Sequence, residues 1–129
     1  MGSSRGMGSL GWAVRVAALV PLAAGGAGVV SGFGFLGAEV AAAADSHARY
    51  LSGLLLGIGI VCLWCAASLH QRAVVFSALC VVVIIGGAAR AGGLVLSGIP
   101  PWPHVAALAM ELGVVPLLLC LVHVRRDHA

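Results

Sequence analysis

The sequence contains little charge and no lysine. Of its 129 residues only 9% are charged and 61% are hydrophobic, and all seven basic residues are arginine. Soluble domains carry about a quarter charged residues, so this composition excludes an ordinary soluble globular protein. The mean hydropathy of +1.12 is typical instead of a chain that places its apolar surface in a bilayer. Because the length allows only one domain, we expect a single membrane domain over residues 1–129.

The sequence also lacks a run of basic residues and lacks cysteines outside apolar segments. The formal net charge of +3 is spread along the chain, so there is no basic patch of the kind that binds nucleic acid. The absence of loop cysteines excludes a small disulfide-rich scaffold. Cys62 and Cys65 form a C-x-x-C pattern, but no histidine or carboxylate lies beside them to complete a metal site. We expect reduced, unligated packing residues and no cofactor or metal. The four cysteines are Cys62, Cys65, Cys80 and Cys120.

Four apolar segments are long enough to span a bilayer, which needs about 20 residues. We predict an all-α integral membrane bundle of four transmembrane helices, with spans at about 10–32, 50–69, 73–97 and 104–124. Little more than residues 70–72 joins the second span to the third, and the proline-rich stretch GIPPWPH joins the third to the fourth. These short connections predict two antiparallel hairpins.

The placement of arginine predicts the orientation of the helices. With the N-terminus inside the cell, five arginines lie at the inner face, and only Arg49 lies in an outer loop. Arg90 is left out of this comparison because it falls within a span. We therefore expect a multi-pass protein of the inner cell membrane with both termini cytoplasmic. The five inner arginines are Arg5, Arg15, Arg72, Arg125 and Arg126.

The first span has an alternative interpretation as a cleaved signal peptide. Two arginines accompany the apolar stretch VAALVPLAAGGAGVV, and the AAAA before Asp45 resembles a cleavage site. The apolar core lies far from that site, so we expect the first helix to be retained.

The segment 33–49, FGFLGAEVAAAADSHAR, is too short and too mixed in polarity to span the bilayer. Its aromatic residues indicate a position at the outer interface. We predict either a short helix that caps the bundle from outside or an ordinary loop.

Two opposite charges, Arg90 and Glu111, fall within predicted spans. Arg90 precedes Pro100 by ten residues (100 − 90), and Glu111 follows Pro101 by ten (111 − 101). At about 1.5 Å per residue, both lie roughly 10–12 Å below the outer ends of adjacent antiparallel helices. Exposing either charge to lipid costs at least ~2.5–3.5 kcal/mol. We therefore expect the two residues to pair with each other.

Helical spacing indicates which polar residues share a face. Small residues permit close helix contact, so we predict that the faces rich in them turn inward. One outward-facing pocket would then collect the polar groups, and either it binds a small polar or anionic ligand or the charge pair is purely structural. The stripes are Arg49, Gly53, Gly57, then Gly86, Arg90, Gly93, Ser97, and then His104, Ala107, Glu111. The predicted pocket residues are Asp45, His47, Arg49, Tyr50, Arg90, His104 and Glu111.

Three short motifs resemble a bacterial family of small four-helix membrane proteins, the one described as domain of unknown function 4345. The motifs lie in ARYLSGLLLGIGIVCLW, GGAARAGGLVLSGIP and AMELGVVPLLL, and the resemblance covers about residues 45–120. It implies a four-helix membrane bundle, broadly like the DoxX-type small membrane proteins, and it implies no particular activity. The matching positions are Arg49, Tyr50, Gly53, Arg90, Gly98, Pro100, Glu111 and Pro116.

Three classes of function remain open at this point. The first is binding of a small polar or lipid-like ligand, or a role as an accessory subunit, with membrane lipids and a homodimer or larger membrane complex as partners. The second is a small dimeric proton-coupled transporter that uses Glu111. The third is a membrane enzyme with acid–base groups at His47, His104 and Glu111. No nucleophile–base–orienter set is visible, so an enzyme is the least favoured of the three.

Overall fold

Helices account for nearly all of the described chain. The structure is a computed structural model that describes residues 2–31 and 38–127, with side chains for 8–31 and 42–126. Helix α1 covers Gly2–Ser31, α2 covers Ala38–Ala67, and α3 covers Ala73–Ser97. A fourth long helix consists of α4, Trp102–Ala109, a π-helical turn, Met110–Val114, and α5, Val115–Asp127. We call Met110–Val114 the π segment. The described ranges contain no strand.

Each of the four long helices is long and apolar enough to cross a membrane. The candidate spans have mean hydropathies between 1.8 and 2.4. The predicted fold class, an all-α protein with four transmembrane helices arranged as antiparallel hairpins, is therefore confirmed. The third predicted span agrees with the structure at both ends. The candidate spans are Gly8–Ser31, Ala42–Ala67, Ala73–Ser97 and Trp102–Arg126.

Of the two alternatives predicted for residues 33–49, a short helix or an ordinary loop, the loop is wrong over residues 38–49, where the chain is helical. Residues 38–49 form the beginning of α2 and are continuous with the predicted second span. Asp45 and Arg49 interrupt the apolar pattern there, but they stand four residues apart and pair across one helical turn at 2.7 Å. Such i, i+4 pairs support a helix, so polarity does not end it at this point. The predicted position of residues 33–37 at the outer interface lies outside the described residues.

The chain divides into two compact units. One is Trp12–Ala67, and the other combines Met1–Gly11 with Ser68–Ala129. The first unit contains most of α1 together with α2. The second contains α3 and the whole fourth helix. The prediction of a single domain over residues 1–129 stays a prediction.

In the first unit, α1 and α2 form an antiparallel hairpin whose helices meet at glycines. A Cβ atom added to Gly25 would lie 2.5 Å from the backbone nitrogen of Leu56 and 2.7 Å from the carbonyl oxygen of Ser52. Farther along, a Cβ at Gly59 would lie 2.8 Å from Cγ of Leu22. Because glycine has no Cβ, the two backbones come into direct contact here. The small residues Gly53 and Gly57, predicted to make such a contact, have no atom within 4 Å of the added Cβ.

In the second unit, α3 packs against the fourth helix, and most of the apolar burial lies away from the connection between them. Ala73, Phe76 and Cys80 recur at helical spacing and are buried on α3. Leu118 and Val122 are buried on α5. Arg125 on α5 also donates a hydrogen bond from Nη1 to Oγ of Ser9 at 3.2 Å. This end of the unit is therefore closed by side-chain packing, whereas the opposite end carries polar residues.

A short connection at residues 98–101, the proline turn, reverses the chain between α3 and α4. Gly98 ends α3 with a φ of +89° while its N–H donates to the carbonyl of Leu94. Only glycine adopts this region readily, so the position is well suited to a helix end. Pro101 then precedes the first turn of α4, and the N–H of His104 donates to its carbonyl at 3.0 Å. The turn thus fixes how the two helices enter the polar region.

Gly25→Ala tests the close contact between α1 and α2, with Gly26→Ala as its matched control. Both substitutions raise intrinsic helix propensity equally, but only Gly25 faces backbone atoms, since Gly26 has no atom within 4 Å of an added Cβ. We expect Gly25→Ala to lower the free energy of unfolding in detergent micelles by about 1–3 kcal/mol relative to Gly26→Ala. Equal stability of the two variants would contradict the contact.

Candidate functional site

Arg90 and Glu111 meet between α3 and the π segment. Nε of Arg90 donates to Oε2 of Glu111 at 3.0 Å, and Nη2 donates to Oε1 at 3.2 Å. Both carboxylate oxygens are therefore held by one guanidinium group, the bidentate geometry that makes such pairs strong and specific. The exposed side-chain fractions are 36% for Arg90 and 16% for Glu111. The arginine is thus the more open member of the pair.

The pair lies well inside the candidate spans. Arg90 is seven residues before the end of α3 (97 − 90), and Glu111 is nine residues after the start of α4 (111 − 102). At about 1.5 Å per residue these positions are roughly 10 Å and roughly 14 Å from the two helix ends. Neither charge can reach an aqueous interface by a short extension of its side chain, so each stabilises the other.

His104 is the third polar residue of this group. It lies in the first turn of α4, and its Nδ1 is 3.2 Å from Nη1 of Arg90. The imidazole ring is exposed. The guanidinium group therefore contacts a carboxylate on one side and an imidazole on another. We call Arg90, His104 and Glu111 the polar cluster.

Gly87 provides the space that Glu111 occupies. A Cβ atom at Gly87 would lie 2.8 Å from Cβ of Glu111 and 3.0 Å from Cδ2 of Leu112. The prediction that Gly86, Gly93 and Ser97 face inward is wrong, because all three are exposed. The packed face of α3 is rotated by about one residue, or 100°, because the buried positions continue from Phe76 and Cys80 to Gly87. Arg90 lies at the edge of that face.

The π segment places Glu111 in a widened helical turn, which the sequence analysis missed. The N–H of Val115 donates to the carbonyl of Met110, five residues back. The cause lies in the next residue, because Pro116 has no N–H and its ring clashes with the carbonyl four residues before it. Such single wide turns occur often at functional sites. A proline five residues after an intramembrane carboxylate was the available signal.

Arg49 has a different environment from the polar cluster. Its Nε donates to Oδ2 of Asp45 at 2.7 Å, and its Nη1 donates to the carbonyls of Val29 and, at 3.3 Å, Val30. These carbonyls belong to the last turn of α1 and have no partner within that helix. A positive charge is favourable at this end of the helix dipole. Arg49 and Asp45 therefore act as a clamp between α2 and the end of α1.

Two further predicted pocket residues, His47 and Tyr50, are exposed on α2. Tyr50 has 63% of its surface exposed. The structure thus brings together Arg90, His104 and Glu111 in one unit and Asp45 with Arg49 in the other. The pocket predicted for all seven residues stays a prediction.

All four cysteines lie within the described residues, and none of them forms a disulfide. Cys65 and Cys80 are buried, Cys62 is partly buried and Cys120 is exposed. Among the residues the structure describes, no group of three histidine, cysteine or acidic side chains is arranged to hold a metal ion. The absence of a metal or cofactor stays a prediction.

One comparison with known proteins identifies a relationship. The family model described as "Domain of unknown function (DUF4345)" matches residues 9–122. The match extends over more of the chain than the three motifs and includes the first helix. No curated protein and no solved structure matches. None of these comparisons bears on the likeness to DoxX-type proteins.

Gly87→Ala tests the contact between α3 and the π segment, with Gly86→Ala as its control. The added methyl group must displace Cβ of Glu111, which is close to the backbone and cannot rotate away, whereas Gly86 has no atom within 4 Å. We expect Gly87→Ala to destabilise the protein by about 1–3 kcal/mol relative to Gly86→Ala in thermal or denaturant unfolding. A Gly86→Ala variant as unstable as Gly87→Ala would mean that the packed face has been assigned to the wrong residue.

Proposed function

The chain belongs to the family described as domain of unknown function 4345, and since that description names no activity, we propose a function from the geometry of the polar cluster. The protein binds a small polar or anionic ligand at Arg90, within the membrane-spanning region, from the side of the proline turn. It acts as a ligand-binding or accessory protein of the membrane. The proposal follows from the hydrogen-bonding capacity of one guanidinium group.

Arg90 has hydrogen-bond donors that no described residue accepts from. A guanidinium group carries five N–H donors and no acceptor. Three of them are used, two by Glu111 and one by His104, and Arg90 has no further hydrogen bond among the described residues. Two N–H groups (5 − 3) thus remain on a side chain whose exposed fraction is 36%. Inside a bilayer these donors favour a ligand that brings its own acceptor oxygens.

The position of the cluster supports access from the proline turn. Most of the buried apolar side chains of this unit lie toward the other end, on the first half of α3 and on α5. Toward the proline turn, α3 and α4 expose His104 and Ser97. A ligand would therefore enter past the proline turn and meet His104 before it reaches Arg90.

The two other functions considered from the sequence receive less support. A transporter that exchanges protons at Glu111 requires carboxylate oxygens that a proton can reach, but both oxygens of Glu111 accept hydrogen bonds from Arg90. An enzyme that forms a covalent intermediate requires a positioned nucleophile, and no serine or cysteine makes a described hydrogen bond to the polar cluster. Ligand binding at Arg90 does not require the hydrogen bonds between Arg90 and Glu111 to break.

Ligand binding is tested by comparing the wild-type protein with the double variant Arg90→Met/Glu111→Leu. Apolar residues of similar volume often replace an ion pair without loss of stability, so the double variant should fold. We expect at least one member of a panel of small carboxylates, sulfonates and phosphate monoesters to raise the unfolding temperature of the wild type in detergent. The double variant should show no such increase. A ligand at about 100 times its Kd stabilises by about 2.7 kcal/mol, which is readily measured.

Glu111→Gln serves as a third protein in the same experiment. It removes the carboxylate charge from Arg90, and breaking an ion pair from one side costs roughly 3–5 kcal/mol when both groups are buried and less when one is partly exposed. An anion that binds Arg90 should therefore stabilise Glu111→Gln more than the wild type. If the panel stabilises neither protein while the double variant folds normally, the pair is structural and the proposed function is wrong.

We also propose that the protein lies in the inner cell membrane with both termini in the cytoplasm. The arginine distribution supports this orientation, because the order of the spans along the sequence assigns five arginines to one side of the membrane and only Arg49 to the other. An even number of spans places both termini on one side. The proline turn and the entrance to the polar cluster would then face outward.

The orientation is tested by labelling single cysteines in a variant whose four native cysteines are replaced by alanine. We expect Trp102→Cys, which replaces an exposed side chain beside the proline turn, to react with a membrane-impermeant maleimide in intact cells. His128→Cys should react only after the membrane is permeabilised. Labelling of both positions on the same side would exclude the proposed topology.

A further inference from the structure

The contact between Arg90 and His104 determines where the proton of the imidazole ring must be. The Nη1 atom of Arg90 is 3.2 Å from Nδ1 of His104. A guanidinium group only donates hydrogen bonds, so Nδ1 must be the acceptor. The neutral ring then carries its hydrogen on Nε2. A protonated ring would place two donors and two positive charges against each other, so protonation of His104 breaks this contact.

The polar cluster has no net charge while His104 is neutral. The elements that contact α4 in this unit are α3 and the π segment. The charged groups that they present to His104 are Arg90 and Glu111, of opposite sign, joined at 3.0 Å. The other histidine and the other charged residues of the fourth helix, His123, Arg125, Arg126 and Asp127, lie at its far end, as does Cys120. An anion bound to Arg90 would therefore give the cluster a net negative charge in an apolar environment.

We propose that the site takes up an anion together with one proton, and that His104 holds the proton. This inference rests on the proposed function, and it names the charge state in which the ligand is bound. A proton taken from water onto Nδ1 makes His104 positive and returns the occupied cluster to zero net charge. The same step releases Nη1 of Arg90, and that N–H together with the imidazolium N–H groups becomes available to the anion.

We assign the proton to His104 rather than to Glu111 because protonation of His104 breaks fewer hydrogen bonds to Arg90. Protonating Glu111 removes the charge that accepts two hydrogen bonds from Arg90. Protonating His104 removes one hydrogen bond, the contact with Nη1. The imidazole is also exposed at the start of α4, so its ring can turn away from Arg90. The ion pair between the helices stays intact in both states.

The experiment uses methanesulfonate, a small anion that does not titrate between pH 5 and pH 8, so any pH dependence belongs to the protein. Its affinity for the full-length protein in detergent is measured at both pH values. Because proton binding and anion binding favour each other, the wild type should bind about tenfold or more tightly at pH 5. His104→Gln keeps an acceptor for Arg90 but cannot take up a proton, so its affinity should be equal at the two pH values.

His70→Gln is the matched control, since His70 is exposed in the turn after α2 and away from α4. It should keep the pH dependence of the wild type. A second measurement needs no variant: binding of methanesulfonate to the wild type in weakly buffered solution near pH 7.5 should be accompanied by net uptake of protons from the solution.

The results separate this inference from the proposed function. Equal affinity of the wild type at pH 5 and pH 8, or binding without proton uptake, overturns the proton proposal and leaves ligand binding at Arg90 intact. A pH dependence that survives His104→Gln also overturns it, because another group then holds the proton. Failure to bind methanesulfonate at either pH likewise overturns it, while the proposed function is decided by the ligand panel and the double variant.

Discussion

An ion pair inside an apolar helical hairpin is the interaction on which the second unit depends. A charge that faces lipid costs at least ~2.5–3.5 kcal/mol, and α3 and the fourth helix each contain one at mid-span depth. The bidentate interaction between Arg90 and Glu111, which consists of two hydrogen bonds, provides each charge with a partner of opposite sign. The pairing also explains the glycine at position 87, since Glu111 occupies the volume that a side chain at Gly87 would need. Gly87 and the π segment therefore both help to place Glu111 beside Arg90.

The hairpin of α1 with α2 and the hairpin of α3 with the fourth helix each contain a glycine at the helix contact and an arginine near it. In each, a glycine allows close contact between the helices, at Gly25 in the first and Gly87 in the second. In each, an arginine lies between that contact and the connection that joins the two helices, Arg49 in the first and Arg90 in the second. Arg49 binds an aspartate of its own helix and the carbonyls at the end of α1, which are contacts that hold two helices together. Arg90 instead contacts a carboxylate and an imidazole of the neighbouring helix well inside its span, and this environment is what separates a candidate binding group from a clamp.

Hydropathy and charge were sufficient to predict the four spans, because the membrane imposes length and polarity directly on the sequence. The equal offsets of Arg90 and Glu111 from the prolines were sufficient to predict their common depth. The packed face of α3 was not predictable in this way, because Gly86 and Gly87 differ by only 100° around the helix and both are small. The π segment was missed because ideal spacing assumes 3.6 residues per turn, and Pro116 changes that locally. The start of α2 was missed because Asp45 and Arg49 read as a polar loop although they pair along a helix.

The separation of Arg90 and Glu111 in the chain has a consequence for synthesis. The two residues are 21 positions apart, and Arg90 leaves the ribosome first. At about 5–20 residues per second, Glu111 follows roughly one to four seconds later. During that interval α3 must stay in the membrane by means of its valines, isoleucines and leucines, each of which offsets about 0.3–0.6 kcal/mol of the arginine's insertion cost. The high mean hydropathy of α3, 2.2, is therefore a requirement of the order in which the chain is made as well as of the finished structure.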